Sequence, residues 1–287
     1  MFAENLWLLP SISALLGLMV GSFLNVVIHR LPVMMEMEWR RECRSFLQPE
    51  EMQEATPPYN LVIPGSHCPL CNKSICPWEN IPIVSYLWLR GCCSGCGAPI
   101  SLRYPLVELL AGIVSFLVAW HFGFTMQTLA ALFLSWGLIA LTFIDIDRQI
   151  LPDAITQPLL WMGILLSLMP IFANSQASIL GAVCGYLILW LVYHVFKLVT
   201  GKEGMGYGDF KLLALLGAWL GWAKLPAIIL LSSLVGALWG AILIVSRRHE
   251  RGMPIPYGPY LAAAGWISLL WGDELNRQYM NLVGLGE

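Results

Sequence analysis

The sequence predicts an all-α polytopic membrane protein. Of its 287 residues, 57% are hydrophobic and only 12% are charged, whereas a soluble domain carries about 25% charged residues. Crossing a bilayer as a helix takes about 20 consecutive apolar residues, and such stretches recur along the chain. We recognise about eight candidate transmembrane helices, of which the sixth is short and rich in glycine: residues 6–28, 106–121, 127–144, 155–172, 178–196, 211–222, 225–246 and 257–271.

The distribution of positive charge predicts how these helices are oriented. Fourteen of the 16 Lys and Arg residues lie in alternate connecting segments, and only Lys224 and Arg277 fall on the other side. Because cytoplasmic loops carry an excess of Lys and Arg, the rich side is predicted to be cytoplasmic and both termini periplasmic. A net charge of -2 without a basic run gives no indication of a nucleic-acid partner.

One long polar stretch divides the chain into three predicted domains. Residues 1–29 form the first transmembrane helix, residues 30–104 a small cytoplasmic domain, and residues 105–287 a domain of seven transmembrane helices. Within the cytoplasmic domain, residues 34–58 could form an amphipathic helix that a proline-rich link follows. Residues 64–104 are dense in Cys, Pro and Gly, which indicates turns and short strands.

Four of the eight cysteines predict a structural zinc site in the cytoplasmic domain. Cys68 and Cys71 form one C-x-x-C pair, Cys93 and Cys96 form a second, and 21 residues separate the pairs. Two such pairs at about this spacing are typical of tetrathiolate zinc sites. Disulfides are disfavoured in the cytoplasm, so the alternatives are two unrelated reduced pairs or a redox couple. Cys92 could replace Cys93 as a ligand.

Carboxylates at the edges of the apolar stretches are candidates for function, because ionisable groups are costly at membrane depth. Asp145 ends the third predicted helix and Asp209 begins the sixth on the same, cytoplasmic side; the other candidates are Glu108, Asp147 and Asp153. Two carboxylates a few ångströms apart share one proton and titrate as a pair. Such a pair can activate water as aspartic proteases do, and Gly206 and Gly208 would let a substrate strand approach Asp209 closely.

Structural explanations compete with this one. Asp147 and Asp153 are better explained as interfacial charges that pair with Arg148. Asp209 could be a helix N-cap, with the adjacent glycines forming an ordinary turn. For Asp145 and Asp209, the residues alone leave catalysis and a structural role equally open.

Taken together, the motifs resemble the bacterial type 4 prepilin leader peptidases, the bifunctional peptidases and N-methyltransferases of pilus and type II secretion systems. The resemblance covers nearly the whole chain. Besides the two cysteine pairs, the motifs are GSFLNVVIHRLP at 21–32, NIPIVSY at 80–86, PISLRYP at 99–105 with Glu108 after it, the segment 145–153, and GYGD at 206–209.

The resemblance implies an inner-membrane aspartic peptidase whose catalytic residues are Asp145 and Asp209. Asp147 is the rival of Asp145, but a separation of two residues places it about 200° round the helix. Presenilin-like intramembrane proteases share the Gly-x-Gly-Asp motif. The implied substrates are prepilins or pseudopilins with a short basic leader and an apolar N-terminal helix, cut on the cytoplasmic side.

The resemblance also implies that S-adenosylmethionine methylates the new N-terminal amine. No glycine-rich dinucleotide motif marks that site, which we expect at the cytoplasmic cysteine domain. The candidate contacts are Glu108, Asn25, Arg103 and Gly95, together with Gly97. Each has a structural alternative: Asn25 could hydrogen-bond between helices, Arg103 could anchor a helix at the interface, and Glu108 could pair with a cation.

Two other classes of protein remain open on the sequence alone. The aspartates of an ion- or proton-coupled transporter could relay protons through the membrane. A non-catalytic pilus assembly scaffold could bind pilins through its apolar helices. The oligomeric state is not indicated by any feature of the sequence.

Overall fold

The computed structural model describes residues 7–47, 59–245 and 256–282, and the regular structure in these ranges is helical. Two short 3₁₀ helices, Pro77–Asn80 and Trp222–Lys224, accompany the α-helices. The α-helices are α1 (Leu8–Leu47), α2 (Val84–Trp88), α3 (Arg103–Phe122), α4 (Met126–Arg148), α5 (Asp153–Leu166), α6 (Ser175–Thr200), α7 (Tyr207–Leu220), α8 (Leu225–Val245) and α9 (Gly258–Leu282).

Within the described residues, five segments are long and apolar enough to cross a membrane: Leu8–Leu47, Arg103–Phe122, Met126–Arg148, Ser175–Thr200 and Trp222–Ile242. The prediction of a helical membrane protein is therefore confirmed. Each of the eight predicted stretches overlaps one helix, but α5 and α7 have only 14 residues each. A helix of that length spans about 21 Å against a hydrocarbon core of about 30 Å, so the count of eight crossings stays a prediction.

The chain forms two compact units, Met1–Gly123 and Phe124–Glu287. The first contains α1 to α3 and the cysteine-rich segment, and the second contains α4 to α9. The three predicted domains divide the chain more finely and stay a prediction. Helix α1 continues to Leu47, well beyond residue 29, and the rest of the expected amphipathic segment, residues 48–58, lies outside the described residues.

Small residues bring α1 and α3 into close contact in the first unit. A Cβ atom added at Gly17 would lie 2.4 Å from Ser115 Oγ, and one at Gly21 would lie 2.7 Å from Glu108 Cα. Small residues at such positions let membrane helices pack backbone to backbone. The Asn25 side-chain amide donates from α1 to the Tyr104 carbonyl on α3 at 3.1 Å, which confirms the interhelical alternative for Asn25.

Helix α7 is the central helix of the second unit, where it contacts α5, α6, α8 and α9. Its residues from Asp209 to Leu220 are buried, with only Lys211 half-buried. The contact with α6 depends on two glycines, because a Cβ at Gly181 would lie 2.2 Å from the Gly217 carbonyl oxygen. The Ser178 hydroxyl adds a hydrogen bond of 2.6 Å to the Ala218 carbonyl.

Two polar contacts join α7 to α5, one near each end of α7. At one end, Lys211 Nζ lies 2.8 Å from both carboxylate oxygens of Asp153. At the other end, the Trp219 indole N–H donates to the Leu159 carbonyl at 2.8 Å. Asp153 thus pairs with Lys211, whereas the sequence suggested Arg148.

The contact between Gly181 and Gly217 predicts that Gly181→Ala destabilises the protein. The new methyl group meets a backbone carbonyl, which cannot swing away as a flexible side chain does, so we expect a cost of about 1–3 kcal/mol. Thermal unfolding in detergent should show a Tm lower by roughly 3–10 °C. Gly236→Ala on α8 is the control, because its nearest neighbour would be the Tyr260 ring at 3.3 Å. Equal Tm values for the two variants would contradict this packing argument.

Candidate active site and candidate metal centre

Asp145 lies in the last turn of α4 and is 5% exposed. Helix α4 ends at Arg148, and the next residue, Gln149, has a left-handed backbone (φ 55°) and donates its N–H to the Asp145 carbonyl at 2.9 Å. This C-cap fixes the backbone of Asp145 where the helix stops. The Asp145 carboxylate oxygen Oδ2 accepts the N–H of Gly258, the first residue of α9, at 3.1 Å.

Asp209 is the third residue of α7 and is 7% exposed. Gly206 has the extended conformation of an N-cap and accepts the Asp209 backbone N–H through its carbonyl at 3.2 Å. A carboxylate in the first turn of a helix lies near the positive end of the helix dipole, which stabilises its negative charge.

The structure brings the two predicted aspartates together. Their carboxyl groups interact electrostatically within the second unit. Leu151 packs against glycines that adjoin the two aspartates: a Cβ added at Gly208, next to Asp209, would be 2.9 Å from Leu151 Cβ, and one added at Gly258, which donates to Asp145, would be 3.4 Å from Leu151 Cδ2. Two neighbouring buried carboxyl groups can divide the work of hydrolysis, one taking a proton from water while the other donates one.

Burial distinguishes Asp145 from Asp147, the alternative candidate for the first catalytic aspartate. Asp147 lies on the exposed side of the last turn of α4, and Asp153 is engaged by Lys211 with 58% of its side chain exposed. Of the three aspartates in the segment 145–153, Asp145 is the buried one that faces Asp209.

The two glycines of the Gly-x-Gly-Asp motif differ in their surroundings. At Gly206 an added Cβ would have its nearest neighbour, Asp209 Oδ2, at 3.9 Å, so this backbone is open. At Gly208 the Cβ would press on Leu151. Gly206 therefore matches the expectation of an accessible strand beside Asp209, whereas Gly208 is needed for packing.

The four predicted metal ligands also converge. The Sγ atoms of Cys68, Cys71, Cys93 and Cys96 all lie within 4.8 Å of one another. Cys68 and Cys96 are 3.8 Å apart and Cys71 and Cys93 are 3.9 Å apart, sulfur to sulfur. Four thiolates at about 2.3 Å from a tetrahedral zinc ion would be about 3.8 Å apart, so these residues fit zinc.

The two cysteine pairs have the same local structure. In the first, the Asn72 N–H donates to the Cys68 carbonyl at 2.9 Å, and in the second the Gly97 N–H donates to the Cys93 carbonyl at 2.9 Å. Asn72 and Gly97 follow the second cysteine of each pair and have positive φ values of 54° and 71°. Asn and Gly tolerate this left-handed conformation best, which explains these residue types at equivalent positions.

Backbone N–H groups prepare part of the cluster for metal binding. The N–H groups of Cys71 and Leu70 lower the pKa of the Cys68 thiol to about 6. Those of Cys96 and Gly95 lower the pKa of Cys93 in the same way. Thiolates are the metal-binding form of cysteine. Each C-x-x-C pair with its turn, which we call a knuckle, therefore presents one sulfur that ionises easily.

Cys92 and Cys76 lie outside the group of four, and Cys92 instead forms an isolated β-bridge with Pro99. A matching bridge joins His67 and Ser74 around the first knuckle. The short strands expected here were a wrong prediction for residues 59–102, where the structure has turns, these two bridges and short helices.

A polar network outside the sulfurs joins the two knuckles. Lys73, next to the first knuckle, lies 2.7 Å from Ser94 Oγ in the second and 3.3 Å from Glu79 Oε1. The Ser94 hydroxyl donates to the same Glu79 oxygen. The Ser94 hydroxyl and the Cys76 N–H lower the pKa of Glu79, so this carboxylate stays charged, and the network stays intact, at pH values below those at which a glutamate usually becomes protonated.

The predicted methyl-donor contacts are all in the first unit, and several have structural partners. Glu108 is 8% exposed, accepts the Ile83 N–H at 2.8 Å and contacts Ser22. Among the described residues its partners are these uncharged groups, whereas the sequence suggested a cation. Arg103 opens α3, and its backbone N–H donates to Ser101 Oγ at 3.3 Å. A Cβ at Gly95 would lie 2.9 Å from Lys73 Cδ and 3.4 Å from Cys71 Sγ.

Ile83, the partner of Glu108, has an unusual backbone. Its φ of 61° and ψ of -47° are close to those of the strained γ-turn, and the Val84 N–H donates to the Pro82 carbonyl at 2.6 Å. A β-branched residue with positive φ is a genuine outlier. The buried Glu108 carboxylate holds this turn against α3.

Sequence reasoning missed Leu151, Gly258 and Ile83. Gly258 follows Tyr257 in the run Pro-Ile-Pro-Tyr-Gly-Pro at 254–259. A glycine between prolines at the start of an apolar stretch was the available signal, since it marks a close backbone approach beside a helix start.

A helical membrane protein with two buried, interacting aspartates fits the class of membrane aspartic peptidases. Comparison with known families agrees: the description "Bacterial Peptidase A24 N-terminal domain" matches residues 15–122, and "Type IV leader peptidase family" matches residues 132–241. The chain belongs to the type IV leader peptidase family. With its apolar helices, this makes it a protein of the bacterial inner membrane.

Relatives that carry one shared name cover almost the whole chain. A protein of Aeromonas hydrophila named "Prepilin leader peptidase/N-methyltransferase" is 58% identical over 274 residues, which is 96% of this chain and 94% of the relative. A relative with the same name from Pseudomonas aeruginosa is 60% identical over 271 residues, 94% and 93% of the two chains. One from Legionella pneumophila is 43% identical over 274 residues, 96% and 95%. No solved structure matches.

The sulfur geometry predicts that the purified protein contains about one zinc ion per chain. A Cys68→Ser/Cys96→Ser variant should lose it, because two of the four ligands are gone. A Cys76→Ser/Cys92→Ser variant removes the same number of thiols outside the cluster and should keep the metal. Elemental analysis after extensive dialysis measures both. Full zinc in the first variant, or its loss in the second, would contradict the assigned ligand set.

Proposed function

We propose that this chain is an aspartic endopeptidase that removes the leader from prepilins or pseudopilins, and that it then N-methylates the new N-terminus with S-adenosylmethionine. The observation that carries the peptidase assignment is the buried pair Asp145 and Asp209, on facing helix ends of one compact unit. The names of the relatives supply the substrate class and the second activity.

In the proposed mechanism the two carboxyl groups share one proton. The ionised member takes a proton from a water molecule as that water attacks the scissile carbonyl. The protonated member gives its proton to the carbonyl oxygen. When the C–N bond then breaks, the member that took the proton from water gives it to the leaving amine, and the other member takes back the proton of the diol oxygen as the new carboxyl group forms. The open backbone at Gly206 is a suitable place for the substrate strand, because the nearest side-chain atom to a Cβ added there is Asp209 Oδ2 at 3.9 Å.

We place this site at the cytoplasmic side, with both termini in the periplasm. Arg148 ends the helix that carries Asp145, and Lys211 lies two residues after Asp209. Lys197 and Lys202 lie in the segment before the Gly-x-Gly-Asp motif. Positive residues at these helix ends support the orientation. Arg247, Arg248 and Arg251, which share in the charge argument, lie outside the described residues.

We assign the cysteine cluster a structural role, with zinc held by Cys68, Cys71, Cys93 and Cys96. Residues 59–102 bury little apolar surface, since Leu70, Trp78, Leu87 and Trp88 are exposed. A segment of this size needs a cross-link in place of a core, and a tetrathiolate metal ion provides one.

We place methyl transfer in the first unit, where Glu108, Asn25, Arg103 and Gly95 remain the candidate contacts. S-adenosylmethionine supplies an activated methyl group on a positively charged sulfur. The buried Glu108 carboxylate suits a cationic ligand, because a carboxylate that is almost withdrawn from water gains most from a nearby positive charge. Gly95 lies between Cys93 and Cys96, so the site for the methyl donor would be directly beside the proposed metal site.

A transporter or a non-catalytic scaffold is not favoured. The relatives that cover more than nine-tenths of the chain carry the names of enzymes, and the paired aspartates have a hydrolytic use that a scaffold would not need.

The first test of the proposed function uses purified protein in detergent and a prepilin with an intact leader. Asp145→Asn and Asp209→Asn should each abolish release of the leader, because either change removes one proton-exchanging group. Losses of about 10³-fold or more are expected when one member of such a pair is removed. Asp147→Asn is the matched control and should cleave normally. Loss of cleavage in Asp147→Asn with retention in Asp145→Asn would reverse the assignment.

The second test separates the two activities. The Cys68→Ser/Cys96→Ser variant should lose methylation more readily than cleavage, because the cluster organises the first unit, whereas the aspartates lie in the second. Mass spectrometry of the processed pilin N-terminus reports both events in one sample. Equal loss of both activities would show that the cysteine segment also shapes the peptidase site.

A further inference from the structure

The Asp145 carboxylate is held by a helix start that lies 113 residues away in sequence. The N–H of Gly258 donates to Oδ2 at 3.1 Å, and Gly258 is the first residue of α9. The first N–H groups of a helix have no partner within the helix and favour negative charge beside them. Here one of these N–H groups donates a hydrogen bond to Asp145, a residue of the proposed catalytic pair.

Gly258 has no room for a side chain. An added Cβ would lie 2.6 Å from Asp145 Oδ2 and 3.2 Å from Asp145 Cγ. Gly258 is not among the glycines with positive φ, so its backbone conformation is open to other residues. The need for glycine at this position is therefore a need for space beside the carboxyl group.

Tyr257 fixes the position of Gly258. Its hydroxyl lies 2.7 Å from Ser232 Oγ and 3.3 Å from Ser233 Oγ, both on α8. Ser232 is fully buried, and its own hydroxyl donates to the Ile229 carbonyl at 3.1 Å. The Ser232 oxygen is then the acceptor for the Tyr257 hydroxyl, and the start of α9 is tied to the interior of α8.

We propose that Gly258 and Tyr257 are positioning residues for the peptidase reaction. The Gly258 N–H orients the Asp145 carboxyl group towards Asp209 and stabilises its ionised form, because hydrogen bonds to a carboxylate favour the charged state. The Tyr257 hydroxyl, through Ser232, keeps that N–H in place. This inference rests on the proposed function and deepens it, since it adds two residues that act on the reaction through Asp145.

The first experiment measures prepilin cleavage by full-length Gly258→Ala protein in detergent. The methyl group must displace the Asp145 carboxyl group, and a misplacement of about 1 Å in a catalytic group can cost roughly 10²-fold in rate. We expect a loss of that order in kcat with KM within about two-fold, because the added methyl group acts on the Asp145 carboxyl group. Gly236→Ala on α8 is the matched control and should cleave at the wild-type rate.

The second experiment keeps the backbone and removes one hydroxyl. Tyr257→Phe should lower kcat by about two- to ten-fold, the worth of one hydrogen bond. It should also move the acidic limb of the kcat profile to higher pH, because Asp145 then ionises less readily. Tyr260→Phe, one helical turn on, is the control and should leave rate and profile unchanged. Ser232→Ala should reproduce the shift, and the double variant should add little to it.

These outcomes separate the inference from the proposed function. If wild-type protein cleaves prepilin and Asp145→Asn does not, but Gly258→Ala cleaves normally, the positioning role is wrong and the peptidase assignment stands. A Tyr257→Phe variant that lowers only the Tm, with an unmoved pH profile, would also overturn the role. If Gly258→Ala does not fold, the Tyr257→Phe profile alone decides. Wild-type protein that cleaves no prepilin would instead refute the proposed function.

Discussion

The meeting of two acidic side chains in a buried place is the constraint on which the second unit depends. Asp145 and Asp209 are 5% and 7% exposed, and carboxyl groups so withdrawn from water repel each other strongly when both are ionised. A loose scaffold would let them separate. Helix α7 is therefore held on two sides, by the backbone contact of Gly181 with Gly217 and by the ion pair of Lys211 with Asp153. These glycines and this ion pair thus help to keep the two carboxyl groups together from positions outside the pair.

The first unit meets a different constraint, since its cysteine-rich segment has too little apolar interior to fold on burial alone. The two knuckles repeat one backbone pattern, from the hydrogen bond that closes each turn to the positive φ of Asn72 and Gly97. The Lys73, Glu79 and Ser94 network then ties one knuckle to the other. In this segment the clustered cysteines and a few polar side chains take the place that a hydrophobic core has in a larger domain.

Residues whose chemistry conflicts with their surroundings could be predicted from the sequence. Carboxylates beside apolar stretches and two C-x-x-C pairs are visible without a structure, and Asp145, Asp209 and the four cysteines do come together. Helix count was harder, because apolar composition does not show that α5 stops after 14 residues, before the end of its predicted stretch. Gly258 and Ile83 could not be assigned at all. Their roles depend on contacts with residues 113 and 25 positions away, and no periodicity in the sequence encodes such distances.

The helix starts around the two aspartates explain how one site can favour negative charge and still retain a proton. Asp209 lies in the first turn of α7 and Asp145 accepts the first N–H of α9, so each carboxyl group lies at the positive end of a different helix. Each helix alone would favour an ionised carboxylate. Because the two groups are neighbours, one ionised carboxylate makes ionisation of the other costly. The arrangement therefore stabilises a single negative charge shared by two acids, which is the protonation state that water activation by an aspartic pair requires.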